Sequence, residues 1–201
     1  MRLAITIMVI ALVASLTCTC VAGVNQSVKA AVHVRAHNAK QACNVTITGC
    51  ADIVTTEAGF SVDAFPVFYD LTEFLGCQYG LTWPSAWGSA SFNNCADLVI
   101  DGVTNPGEGA AHSWTACQSE PVAVPSFIWL YASGPGIIEL IEYPYSDPPG
   151  IYALDCAEGL DWPDPCMFYA GVYGATGQDP CVACEPATEA ATWSEIKSIF
   201  K

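Results

Sequence analysis

From Val28 to His37 the chain alternates. Val28, Ala30, Val32, Val34 and Ala36 take one side of an extended segment, and Lys29, His33, Arg35 and His37 take the other. A period of two is that of a half-buried β-strand, whose successive side chains point to opposite faces. The pattern predicts a first strand with its apolar set turned inward and with His33, Arg35 and His37 together on the solvated face. The His33-x-x-x-His37 spacing would also suit a metal pair on a helix, but the alternation argues against a helix.

Short β-rich runs continue along the chain: Ala58 to Tyr69, Gln78 to Thr82, Ala96 to Ile100, Val122 to Ala132, Ile137 to Tyr143, Ile151 to Cys156 and Cys166 to Tyr173. Turn-forming residues separate them, as in Asp101-Gly102, Asn105-Pro106-Gly107, Ser133-Gly134-Pro135-Gly136 and Asp147-Pro148-Pro149-Gly150. Helical periodicity is nearly absent between residues 24 and 185. The expected fold is therefore all-β: an immunoglobulin-like or cohesin-like sandwich of two sheets packed face to face. The tail changes character. Thr192-Trp193-Ser194-Glu195 has the form of a capping box, and Trp193, Ile196, Ile199 and Phe200 recur at helical spacing. A linker and a short C-terminal amphipathic helix are expected over 186–201.

At the other end, Met1-Arg2 precedes an apolar run from Leu3 to Leu16. About 14 residues are too few to span a bilayer, which takes roughly 20, but they suit the core of a signal peptide. Small residues at Val21-Ala22-Gly23 place the cut after Gly23. The expected organisation is a signal peptide over 1–23, a β-sandwich domain over 24–185 and the tail over 186–201. Its expected location is secreted, extracellular or periplasmic, with no membrane span.

Export changes the reading of the cysteines. The chain has 11, and Cys18 and Cys20 leave with the signal. Cys43, Cys50, Cys95, Cys117, Cys156, Cys166, Cys181 and Cys184 are disulfide candidates in an oxidising compartment, and Cys77 is the candidate free thiol. The spacing suggests Cys43–Cys50 across a short turn, Cys95–Cys117 between strands, and local pairs among the last four. Cys181-Val-Ala-Cys184 reads as structural, because neither a second ligand pair nor a βαβ context accompanies it.

Charge narrows the chemistry. The formal net charge is −14, and all 20 acids lie between Lys40 and Lys197, a stretch with no Lys or Arg. Such a body repels nucleic acid, whose binding needs clustered cations. It also excludes catalysis by Lys and an Arg clamp on phosphate. His112 is the one neutral-pH acid–base side chain there.

Two sets of residues carry a resemblance. His33-Val34-x-x-His37-x-x-Lys40-x-x-Cys43, Gly76-x-Gln78-Tyr79-Gly80-Leu81-x-Trp83-Pro84 and Trp193-x-x-Ile196-Lys197-x-x-Phe200 resemble uncharacterised secreted β-sandwich proteins of environmental bacteria. The Gly76 to Leu81 segment also resembles a strand of cohesin-type sandwiches, which mediate cell-surface assembly. Both likenesses imply a non-catalytic sandwich, and neither supplies a ligand.

Candidate sites remain to be weighed. Trp83 and Trp87, with Phe92 and Trp114, form either a sugar-stacking platform or a cap on the core. Asp155, Glu158, Asp161 and Asp164 crowd one segment and offer an irregular Ca²⁺ loop, without the ligand order of an EF-hand; Asp97, Asp101 and Glu108 form a second group. No cofactor other than Ca²⁺ is suggested. His112-Ser113 lacks the context of a catalytic triad. The expectation is a non-enzymatic protein that binds an extracellular protein or glycan, or associates with itself. The alternative is a small secreted glycoside hydrolase using a carboxylate pair. A third option gives the C-terminal helix a sorting role.

Overall fold

The computed structural model describes residues 23–25, 27–40, 43–147, 149–163 and 169–182. The expected linker and C-terminal helix, the signal peptide up to residue 22, and Asp164, Cys166 and Cys184 lie outside the described residues. The described chain forms strands β1 (Lys29–Ala36), β2 (Thr56–Glu57), β3 (Ser61–Tyr69), β4 (Phe74–Thr82), β5 (Gly88–Asn94), β6 (Leu98–Ile100), β7 (Glu108–Gln118), β8 (Val122–Ala123), β9 (Ser126–Tyr131), β10 (Gly136–Ile141), β11 (Tyr152–Leu154), β12 (Leu160–Asp161) and β13 (Tyr169–Val172). A single 3₁₀ turn at Cys50–Asp52 is the helical element among the described residues. No described helix is long and apolar enough to cross a membrane.

Two sheets face each other. The smaller runs β1-β3-β9-β5, with β8 on β3. The larger runs β12-β11-β4-β10-β13-β2, with β7 on β4 and β6 on β7. The alternation in β1 does what it predicts: Ala30, Val32 and Val34 enter the inter-sheet core with Val62, Ala64, Phe68, Tyr79, Leu81, Ile128 and Leu130. Burying the Val, Leu, Ile and Phe side chains among them contributes roughly 1.5–3 kcal/mol each.

The opposite face of the smaller sheet is not solvated as expected. Residues 43–53 lay Val45, Ile47 and Ile53 across Ala31, Phe65, Val67, Tyr69 and Phe127, making a second apolar cluster. β3 is consequently buried on both faces from Val62 to Tyr69. Pro66 within it offers no N–H, and it stands where the β3–β9 ladder (to Ala64) has ended and the β3–β8 ladder (from Phe68) has not begun. Beneath the cover His33 is buried, its Nδ1 accepting the Val54 N–H at 3.0 Å.

Disulfides fasten this cover. Cys43 bonds to Cys95 and Cys50 to Cys181, while Cys117 bonds to Cys156. The short-range pairs suggested by spacing, Cys43–Cys50 and Cys95–Cys117, are thus corrected, as is local pairing for Cys156 and Cys181. Each bridge joins segments brought together by the sheets, which sequence proximity does not report. Cys77 is a buried free thiol on the core face of β4, and desolvation pushes its pKa well up.

Candidate functional site

The outer face of the larger sheet is built from registered rows. Directly opposed residues share a face, so the ladders place Leu160, Leu154, Gly76, Ser113 and Leu98 in one row across β12, β11, β4, β7 and β6. Tyr152, Gln78, Ala111 and Ile100 form the adjacent row. The middle of this face is paved with small residues. A Cβ at Gly76 would stand 2.7 Å from the His112 carbonyl oxygen, so the floor there stays low. Leu154, Leu160 and Tyr152 rise on one side. They bound an apolar cavity of about 150 Å³ over Gly76 and Ala111.

The two margins of this sheet face are apolar and open to water. Leu98 is 58% exposed, Ile100 67% and Leu160 48%. Trp162, 53% exposed, sets its ring edge-on to Tyr152 with centroids 4.2 Å apart. Beyond β6 no further strand pairs among the described residues. An edge strand leaves backbone N–H and C=O groups unpaired, and soluble proteins usually shield such edges. Here all three residues of β6 are apolar and exposed. Asp97 and Asp101 stand immediately before and after them.

Under this floor lies a polar chain. Asn94 is oriented by its Nδ2 donating to the Ala96 carbonyl at 2.8 Å, so its Oδ1 accepts from His112 Nδ1 at 2.9 Å. His112 Nε2 then accepts from the Tyr79 hydroxyl at 3.0 Å, and Tyr79 accepts from Ser126. Desolvation lowers the His112 pKa to about 4 and raises that of Tyr79. The chain satisfies buried polar groups. Its serine and histidine are sealed inside the sandwich, away from any substrate.

A second polar cluster sits at the edge of the smaller sheet. The buried carboxylate of Asp63 takes Arg35 Nε at 3.3 Å and His37 Nδ1 at 2.6 Å. The His37 ring stacks on Trp129 at 3.7 Å, and Trp129 Nε1 donates to Ser61. Arg35 and His37 are therefore engaged with a buried acid rather than presented as a solvated face. The two histidines of β1 do not converge: His33 is under the cover and His37 is on Asp63.

The other residues singled out by sequence are dispersed. Trp83 and Trp87 are buried in the core at 5% and 7% exposure, so neither offers a ring face to a sugar. Trp114 packs edge-on against Phe74. Asp155 and Asp161 point inward and accept backbone N–H groups of Val24 and Asn25, each at 3.1 Å. Glu158 is exposed on the intervening turn. Asp97 binds Thr115, Asp101 binds the Tyr143 hydroxyl, and Glu108 binds Thr104 and Asn105; Asp101 and Glu108 line one cavity with Tyr145, and Asp97 does not border it. The apolar rows were missed by sequence reading. Their signal was the solid run Leu98-Val99-Ile100 between two aspartates, which breaks the alternation of a half-buried strand.

No family model and no curated protein matches this chain. Among solved structures, it is similar to a type II cohesin domain from the cellulosome of Acetivibrio cellulolyticus, at a TM-score of 0.46 and 10% identity. That alignment covers 72% of this chain and 95% of the cohesin domain.

Proposed function

We propose that this protein acts by binding, outside the cytoplasm, and that its contact surface is the outer face of the larger sheet with its open β6 edge. The observation that carries this is the exposed apolar margin Leu98–Ile100 beside the small-residue floor at Gly76 and Ala111. Apolar surface gathered in this way on a soluble protein marks an interaction site.

The occupant we infer is an extended, cationic polypeptide segment with alternating apolar residues. An extended strand satisfies the unpaired edge through main-chain hydrogen bonds, while alternate side chains reach the apolar face. Asp97 and Asp101 flank β6, and no Lys or Arg occurs anywhere between Lys40 and Lys197. A second copy of so acidic a surface is repelled, and a cationic strand is attracted. Three disulfides suit an oxidising exterior. A non-enzymatic role agrees with the burial of Ser126 and His112 and with the absence of a cationic clamp.

The test is titration of a synthetic alternating Lys–Val peptide into the whole protein, followed by calorimetry at low and high salt. Binding should be measurable at low salt, weaken as salt rises, and fall at least several-fold in Leu98→Ser/Ile100→Ser, which leaves the charge unaltered. Equal binding by this variant would reduce the interaction to bulk electrostatics. Sedimentation as a dimer dissociated by the same variant would replace the cationic partner with a second copy.

A further inference from the structure

Asp155 and Asp161 are the least expected side chains in the molecule: two carboxylates, 2% and 4% exposed, in a stretch from Lys40 to Lys197 that holds no Lys or Arg between its ends. Their positions follow from the register. Asp161 opposes Ala153, which opposes Cys77, so Asp161 belongs to the inward face of β12. Asp155 follows β11 and folds back over its own turn, accepting the N–H groups of Ala157 and Gly159 at Oδ1. Cys156, bonded to Cys117, ties that turn to β7. Among the described residues neither carboxylate has a cationic partner. A buried charge without one is costly.

What occupies the pair is the start of the domain. Val24 N donates to Asp155 Oδ2 at 3.1 Å, and Asn25 N donates to Asp161 Oδ2 at 3.1 Å. Gly23 is buried, packed so closely that a Cβ on it would overlap the Asp161 carboxylate oxygens. Asn25 locks the segment by accepting from Thr72 N at 2.7 Å and donating to the Glu73 carbonyl at 2.8 Å. The sequence places signal cleavage at this point.

We propose that Asp155 and Asp161 form the receptor for the α-ammonium group that signal cleavage creates. Hydrolysis of the Gly23–Val24 bond adds one water, leaves the carboxylate on the departing signal, and turns the Val24 nitrogen from an amide into an ammonium. That nitrogen already lies within ion-pair reach of Asp155. The cation missing from this pair is thus supplied by processing. The folded domain exchanges an amide–carboxylate hydrogen bond for an ammonium–carboxylate ion pair that keeps the hydrogen bond and adds a compensating charge, and the unprocessed precursor lacks it. The precursor is accordingly less stable than the exported product.

Two measurements test this. Mass spectrometry of the exported protein should give Val24 as first residue; Gly23, which rests on Asp161, serves the same pair, and any other start overturns the proposal. Next, thermal unfolding at pH 7 is compared between the form beginning at Val24 and the same form with its α-amino group acetylated. Both present the same backbone N–H donors, so a merely structural role predicts equal Tm. The α-ammonium predicts a Tm higher by about 2–4 °C or more in the processed form. It also predicts that Asp155→Asn abolishes the difference, with Asp161→Asn as the second variant if the first does not fold. Equal Tm values, or a difference that survives both substitutions, would overturn it. The outcome is independent of what the outer face binds.

Discussion

The Tyr79 hydroxyl donates to Nε2 of His112 across 3.0 Å in the interior of the sandwich. The bond requires a lone pair on that nitrogen, so the folded state holds His112 neutral. His33 is held neutral in the same way, its Nδ1 accepting from Val54. Burial lowers both histidines to about 4, with the nearby Arg35 charge adding to the effect at His33.

Acid sensitivity follows from these two groups. An unfolded histidine titrates near 6.5, so between about 6.5 and 4 the unfolded chain binds more protons than the folded one. Stability from this source is complete above pH 6.5 and is lost progressively as pH falls toward 4. The effect is on the order of 3 kcal/mol per histidine at its greatest. Urea midpoints across this window should fall with pH, and His112→Gln should flatten the slope by about half. A midpoint independent of pH from 7 to 4 would contradict the burial of both rings.

Trp83 and Trp87 carry stability rather than recognition. Each sits in the inter-sheet core, and Trp87 lies against Gly136, where a Cβ would crowd its ring. Truncating a buried tryptophan to alanine removes its transfer energy and leaves a cavity. Trp83→Ala and Trp87→Ala should each lose about 3–5 kcal/mol by chemical denaturation. A loss below about 1 kcal/mol with altered glycan binding would return these rings to the surface.

How far the residues disclosed this depends on whether local pattern or long-range pairing decides a feature. β1 was legible because one of its faces is apolar and the other mostly polar. The runs around β3, β9, β10, β11 and β13 were legible because Val, Ile, Tyr and Phe dominate them. β5 and β7 were not: Gly88-Ser-Ala-Ser and Gly109-Ala-Ala are weak strand formers, placed in strands by their neighbours on either side. The β7 sequence is poor for the reason that matters to the site, since Gly109, Ala111 and Ser113 keep the floor low. His33 was misread as solvated because its cover, residues 43–53, comes from a segment without strand pairing of its own. The three bridges span 39, 52 and 131 residues, distances that only the assembled sheets make short.

Those spans rank the bridges. In the chain-entropy treatment a closed loop of about 131 residues is worth about 5 kcal/mol, and the shorter two about 4 kcal/mol each. Variants that keep a single bridge should therefore rank by loop length, with the one that keeps Cys50–Cys181 giving the highest urea midpoint. Cys50→Ser/Cys181→Ser should also raise hydrogen exchange at Val54, because the bridge pins the turn that precedes it. Equal midpoints for the three single-bridge variants would show that local strain, not loop length, sets their values.

Metal removal should leave the fold unchanged. Calcium takes six to eight oxygen ligands at about 2.3–2.6 Å, so a site needs several free oxygens pointing at one place. Asp155 spends Oδ1 on two N–H groups and Oδ2 on Val24, while Asp161 Oδ2 accepts Asn25. Asp97, Asp101 and Glu108 are turned to three different sets of donors. The one described convergence of potential ligands, Glu73 with Cys117 and Cys156, has both sulfurs bonded to each other and offers no thiolate. Thermal unfolding with excess EDTA and with millimolar Ca²⁺ should give the same Tm within about 1 °C. By linkage, a site filled at a hundred times its dissociation constant would stabilise by about 2.7 kcal/mol, a shift of several degrees for a domain of this size. A rise of that size with Ca²⁺, lost in Glu158→Gln, would mean that the 155–161 turn opens to hold the ion and gives up its contacts to Val24 and Asn25.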